Sequence, residues 1–312
     1  MTEQFSVALD VGGTFIRSTL LDYEGKIIPE TYSIFNSKSS HSKEIIKANI
    51  EEIIKFNINS ILHPHFEINK IGIAFPGPFD YANGISYISN VDKFDALYGM
   101  NIKTFITQSL KKLPHIKAKL SDNFSIVFEN DAKLFALGEN SLRVGEKKEK
   151  RIVYLTIGSG LGSTFIENGE VISNKYGLPE NGWIYNDLFK DGKIDDYISK
   201  RGILKIADSL GLYNEGMEPK LLSEMALKGD EKAQECFKLF GEDLGLALDK
   251  YINLFSPHEI VLGGNISLSY TLFNDSFKQR IKNQGIEIIL KDNTSQNIFS
   301  GISSLIGYSI KT

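Results

Sequence analysis

The stretch Phe5-Ser6-Val7-Ala8-Leu9-Asp10-Val11-Gly12-Gly13-Thr14-Phe15-Ile16-Arg17-Ser18-Thr19-Leu20-Leu21 sets a glycine pair between two apolar runs of strand composition. Asp22-Tyr23-Glu24-Gly25 then signals a turn, and Lys26 to Ile34 supplies a third strand. Gly12-Gly13 therefore belongs to a hairpin. The dinucleotide fingerprint and the P-loop both need strand, loop and helix in succession, so neither fits. Glycines in such a hairpin let a ligand approach the backbone, and with Thr14 beside them the turn can offer N–H donors to phosphate. Asp10, at the strand end, would be an outer-sphere partner of Mg²⁺. A plain Gly-Gly hairpin with a solvated Asp accounts for the same residues, and the motif alone does not separate the two.

The pattern recurs. Arg151 to Ile157 reads as a strand, Gly158-Ser159-Gly160-Leu161-Gly162 as a glycine-rich turn, and Ser163-Thr164-Phe165-Ile166 as the return strand. Two such hairpins suggest related half-molecules facing each other across a cleft. Between them, the strand Phe124-Ser125-Ile126-Val127-Phe128 hands over at Glu129-Asn130-Asp131 to the helical run Ala132-Lys133-Leu134-Phe135-Ala136. A carboxylate at that junction is well placed to meet a substrate hydroxyl. Asp and Asn are also favoured helix N-caps, so the triplet taken alone reads more readily as a cap.

Elsewhere the chain alternates strands and helices. Lys43 to Leu62 has the period of an amphipathic helix, and Ile71 to Phe75 is a buried strand closed by Pro76-Gly77-Pro78, a loop placed where α/β sheets meet their ligands. Gly84 to Asn90 reads as a short strand-like return, and Asn101 to Lys112 as a helix stopping at Pro114. Lys232 to Phe255 carries the clearest helical stripe. Cys236 lies beside that stripe and reads as a buried, inert thiol. Glu259 to Leu262 is a strand closed by Gly263-Gly264-Asn265. Helices from about Ser269 to Lys282 and from Gly301 to Ile310 finish the chain. His63-Pro64-His65 has no acidic partner in the motif and reads as a loop rather than a metal site.

Composition sets the outer bounds. The 312 residues include 35 Lys plus Arg against 39 Asp plus Glu, a net charge of -4 that gives no electrostatic reason to expect nucleic acid. One cysteine excludes an intrachain disulfide framework and a multi-cysteine zinc cage. No apolar run has the length of a membrane span, and the opening residues read as a strand rather than a signal peptide, so a cytoplasmic protein is expected.

Taken together, five landmarks resemble the sugar-kinase branch of the ROK family: Asp10 to Arg17, Pro76-Gly77-Pro78, Glu129-Asn130-Asp131-Ala132, Gly158 to Gly162, and Leu262-Gly263-Gly264. The resemblance covers nearly the whole chain. It implies an α/β protein of the actin-like ATPase (ribonuclease H-like) fold with two lobes around a central cleft. The lobes would run over 1–120 with 297–312, and over 121–296. It also implies ATP and Mg²⁺, with Asp10 near the metal and Gly12, Gly13 and Thr14 against the terminal phosphates. Gly158, Ser159 and Gly160 would hold the other side of the phosphates, and Gly263 and Gly264 would pass beneath the adenosine. Asp131 matches the family's general base, Asn130 a sugar ligand, and Gly77 and Asn90 further positions of the sugar pocket. The reaction implied is ATP-dependent phosphorylation of a hexose or an N-acyl amino sugar such as N-acetylmannosamine, at the C6 hydroxyl. Relatives are often homodimers.

The chain departs from the family at its Glu-x-Gly-His motif, which here reads Glu180-Asn181-Gly182-Trp183, and at the zinc loop, whose cysteines are missing between Tyr185 and Ile194. A member without zinc is expected, with Glu180 and Asp195 as acidic sugar ligands. Trp183 either stacks on a sugar face or fills the space of the missing histidine. The rival reading is a non-catalytic sugar sensor related to ROK repressors, with no room before Phe5 for a DNA-binding module. An inactive scaffold with a decayed substrate loop is the third.

Overall fold

Two five-stranded sheets built on the same strand order carry the chain. This computed structural model describes residues 2–90, 92–281 and 285–307. Contacts divide it into Met1–Leu142 with Ser295–Thr312, and Arg143–Thr294.

In the first unit, β1 (Glu3–Val11), β2 (Phe15–Leu21) and β3 (Ile27–Asn36) form an antiparallel meander. β4 (Phe66–Ala74) and β5 (Leu120–Glu129) then add in parallel to β1, giving the order β3-β2-β1-β4-β5. The last seven residues of β1 are all buried, as expected for a strand covered on both faces. One cover is α1 (Lys43–Asn59), which turns Ile46, Ile50, Ile53, Ile54 and Ile58 inward. α2 (Ile102–Lys112) adds Ile106 and Leu110 to the same core.

The second unit repeats the plan. β6 (Arg151–Ile157), β7 (Leu161–Glu167) and β8 (Glu170–Ile172) form the meander, and β9 (Glu259–Gly263) and β10 (Glu287–Leu290) extend it in parallel to β6. The two halves inferred from the paired hairpins are thus two copies of one topology.

Two helix crossings use glycine as a spacer. In the first unit α3 (Asp131–Ser141) meets a C-terminal helix, Thr294–Leu305, through Gly138 and Gly301. A Cβ on Gly138 would strike the backbone of Asn297, and one on Gly301 would strike the backbone of Leu134. Asn297 then donates from Nδ2 to Glu139 Oε1 at 2.5 Å within this buried contact. In the second unit the 25-residue helix Glu231–Phe255 buries Cys236, whose thiol burial pushes up to about 12. Gly241 and Gly245 on that helix allow the close approach of Tyr270–Arg280.

Several bounds differ from the sequence reading. Residues 121–142 sit with the first unit, because β5 pairs with β4 rather than with the second sheet. The closing helix starts at Thr294 instead of Gly301, the glycine serving the crossing rather than opening the helix. Tyr308 to Ile310, and Lys282 at the end of the preceding helix, lie outside the described residues. Helices Lys200–Ser209 and Pro219–Leu227 and the strand β10 have no counterpart in the sequence reading. In the segment Gly84 to Asn90, only Ile85–Ser86 is strand, paired with Phe79–Asp80. No helix among the described residues is long and apolar enough to cross a membrane.

Candidate active site

Register places the first group of side chains. Asp10 on β1 lies opposite Ala74 on β4, and Ala74 lies opposite Glu129 on β5. Three parallel strands therefore end in one row, roughly 10 Å wide at the usual strand spacing. The Asp10 turn, the Pro76-Gly77-Pro78 loop and the Asn130-Asp131 junction all leave the sheet from its carboxyl edge, where α/β sheets bind ligands.

The helix cap belongs to Asn130. Its side-chain oxygen accepts the Lys133 N–H at 3.2 Å, and it stands at the N-cap with extended backbone angles. Asp131 is the first residue inside the helix, and one of its oxygens accepts the Ala132 N–H at 2.9 Å. Burial, with the nearby Asp10 charge next in size, raises its pKa from 3.8 to about 6, although the backbone N–H donors act in the opposite direction. This is the condition of a carboxylate able to take a proton near neutral pH.

Asp10 itself is buried, 6% exposed. Burial raises its pKa, while Arg17 and a hydrogen bond from Ser295 favour the charged form. Arg17 lies directly across the β1–β2 ladder, its Nη1 3.6 Å from Asp10 Oδ2. The turn beyond is tightly held. Gly12 N–H donates to the Phe15 carbonyl at 2.9 Å, and the Gly13 carbonyl accepts from Ser37 Oγ at 2.9 Å and Ser39 Oγ at 2.5 Å. Thr14 is exposed at the tip. Neither Gly12 nor Gly13 has a left-handed backbone: the Phe15 carbonyl lies 3.0 Å from where a Cβ on Gly12 would sit, and the Lys93 side chain covers Gly13.

Asn130 is oriented from a second direction. Its Nδ2 donates to Tyr81 Oη at 3.2 Å, and Tyr81 in turn donates to the Phe75 carbonyl at 3.1 Å. A Cβ on Gly77 would lie 3.3 Å from the same hydroxyl, so the cis Gly77–Pro78 peptide packs close beneath Tyr81. Asn90 is exposed, with a left-handed φ of 60°.

The other sequence-predicted residues lie in the second unit. Gly158 N–H donates to the Gly160 carbonyl at 3.0 Å, closing the second glycine turn, and the Gly158 carbonyl accepts the Lys200 N–H at 2.8 Å. Ser159 is exposed at its tip. Asp195 is drawn to this turn: Oδ1 accepts the Leu161 N–H at 2.6 Å, and Oδ2 pairs with Arg201. Gly264 has φ 88°, and a Cβ there would strike the Ile157 backbone, so only glycine passes this point without strain. Gly263 ends β9, and its carbonyl accepts from Ser267 Oγ at 2.7 Å. Glu180 is exposed, and Trp183 lies 6.4 Å from Tyr185, ring to ring. The segment between them is pinned by Ser163, whose hydroxyl donates to the Gly182 carbonyl at 2.7 Å and accepts the Ile184 N–H at 3.0 Å.

Sequence reasoning missed Tyr81, Ser295, Lys93 and the two serines that hold Gly13. It also missed Arg17, for which the hairpin register was a usable signal. Among the described residues no group of three or more His, Cys, Asp and Glu is arranged to hold a metal ion.

The ROK family profile matches residues 6–289. The chain belongs to the ROK family. Among its relatives, a glucokinase of Halalkalibacterium halodurans is 25% identical over 297 residues, 86% of this chain and 82% of that one. A xylose repressor of Bacillus spizizenii is also 25% identical, over 90% of this chain and 69% of the repressor. The ROK family glucokinase of Streptomyces griseus, solved with glucose and AMPPNP, superposes with a TM-score of 0.70 at 18% identity, covering 96% of this chain and 98% of that one. A ROK family transcriptional regulator, a homolog of E. coli MLC protein, reaches 0.76 at 16% identity over 98% of this chain and 79% of that one. The fold is the α/β actin-like ATPase fold, and each unit holds one of its sheets.

Proposed function

We propose that this ROK protein phosphorylates a sugar hydroxyl with ATP, with Asp131 as the general base. The observation that carries the reading is Asp131 itself: it stands inside the helix rather than capping it, beside buried Asp10, with its pKa raised to about 6. The relatives named glucokinase and N-acetyl-D-glucosamine kinase support a hexose or an N-acyl amino sugar as acceptor. The C6 hydroxyl as the attacking group is what the family resemblance implies.

In this reading Asn130, oriented by Tyr81, holds the sugar with Gly77 and Asn90; Glu180, Asp195 and Trp183 are the further sugar ligands that the family resemblance implies. Asp131 takes the hydroxyl proton as the sugar oxygen attacks the γ-phosphorus. The bond to the bridging oxygen breaks, and ADP leaves with the electron pair. Phosphoryl transfer asks a protein mainly to position the reactants and neutralise charge. The turns at Gly12-Gly13-Thr14 and Gly158-Ser159-Gly160 would supply N–H donors to the phosphates, and Gly263 and Gly264 would lie beneath the adenosine. Buried Asp10 beside a second carboxylate, without a dedicated protein cage, suits Mg²⁺ brought in on the nucleotide phosphates and held through water. Such an ion would offset charge on the transferring group.

The pH profile tests this assignment. Only ionised Asp131 accepts a proton, so kcat/KM for the sugar should rise with pH and level off above an acid limb at about 6. A limb near 4, or none, would remove Asp131 from the role. Tyr81→Phe should raise the sugar KM by roughly 5- to 10-fold, the worth of one hydrogen bond to Asn130, and leave the KM for ATP unchanged.

The xylose repressors, matched over as much of the chain as the kinases, support one other reading: a sugar sensor that binds without turnover. Sugar binding with no ADP release would select it.

A further inference from the structure

We propose that Lys93 is a phosphate-binding residue of the first glycine turn, contacting the terminal phosphate of the nucleotide. This deepens the kinase reading and rests on it.

The placement is specific. A Cβ built on Gly13 would overlap Lys93 Cδ and lie 3.0 Å from Nζ and 3.1 Å from Cε. The lysine chain thus runs across the glycine and sets its ammonium over the turn. Its segment is held by the turn's own partners. Ser39 donates from Oγ to the Gly13 carbonyl, and its backbone carbonyl accepts the Phe94 N–H at 2.7 Å. Phe94 is 1% exposed and packs 5.3 Å from Phe75, ring to ring. One serine therefore fixes both the glycine and the residue next to the lysine.

The backbone here is unusual. Asn90, Asp92 and Phe94 all adopt left-handed conformations, with φ of 60°, 58° and 63°. Such conformations are disfavoured for residues with a side chain, and they concentrate where a ligand is gripped. The charge is also unspent. Among the described residues no ion pair ties Lys93 to a carboxylate, whereas Arg17 on the same hairpin is committed to Asp10. A half-buried lysine whose ammonium lies over a glycine turn offers the chemistry of a phosphate contact, acting as a point charge. The same loop carries Asn90, so occupation of the phosphate turn and of the sugar site would draw on one short segment.

Lys93→Met keeps the aliphatic cover over Gly13 and removes the charge, and Lys93→Arg restores it. Equilibrium binding of MgATP and of the non-hydrolysable analogue AMPPNP, each titrated calorimetrically, reads the charge directly and does not depend on turnover. Lys93→Met should weaken both by roughly 10- to 100-fold, with the thermal midpoint and the sugar affinity unchanged, and Lys93→Arg should recover most of the loss. Nucleotide affinity in Lys93→Met within twofold of the parent would overturn the proposal and leave the kinase reading standing, Lys93 then being a hydrocarbon lid on the glycine. A parent protein that binds sugar but no nucleotide would overturn the phosphate-turn reading and this proposal together.

Discussion

Asp131→Asn should reduce kcat by about 10²- to 10⁴-fold, the usual range for loss of a general base, while sugar affinity stays within a few fold. The asparagine keeps an oxygen that can accept the Ala132 N–H, and the cap on the helix is supplied by Asn130, so the local fold is preserved. The variant should also be more stable than the parent near neutral pH. In the parent the folded pKa lies above 3.8, so the fold favours the protonated carboxyl. That contribution is fully present below about 4 and is lost as pH rises through about 6. The neutral amide escapes the loss, a gain of about 1–3 kcal/mol at pH 7 and nothing near pH 4. Denaturant unfolding of both proteins at the two pH values measures it. Lower activity with higher stability is the joint result expected of a residue kept charged for chemistry. A variant less stable at both pH values would mark Asp131 as structural.

Gly138→Ala should be among the most damaging single-methyl changes in the chain. The new carbon would overlap the Asn297 backbone, and backbone cannot rotate aside, so the helix Thr294–Leu305 and α3 must separate. Overpacking of this kind costs about 3 kcal/mol, at the upper end of the usual range. Separation also strains the buried Asn297–Glu139 hydrogen bond. Because Asn130 and Asp131 open the same helix, a shift of about 1 Å at their end would cost up to about 100-fold in rate even in the folded fraction. Urea midpoints and kcat, measured on one preparation, should fall together. A Gly138→Ala protein of parental stability would show that the two helices do not pack through this glycine.

The contrast between the two glycine pairs shows what a sequence discloses. Gly12-Gly13 and Gly158 to Gly162 were legible because apolar runs flank them closely; the β2 bounds follow from that spacing, whereas β7 begins at Leu161, inside the run read as turn. Gly138 and Gly301 sit inside helical runs where glycine is intrinsically unfavourable. Their purpose is a contact with residues more than 150 positions away, which no local pattern carries. The same limit misplaced the unit boundary: the strand before Asn130 was legible, but which sheet it joins depends on pairing with β4. Asp131, Asn130 and Asp10 were found as single residues. Their arrangement was not: the cap falls to Asn130, and Arg17 holds Asp10. Lys93 and Tyr81 were out of reach, since each acts on a residue brought near only by folding.

Incubating the purified protein with MgATP and a panel of hexoses and N-acyl amino sugars, with ADP release followed and products weighed by mass spectrometry, tests the central claim most directly. One sugar or a small set should become a monophosphate, each turnover should yield one ADP, and ATP should be stable without sugar. Tight binding of a sugar with no ADP and no phosphorylated product would contradict it.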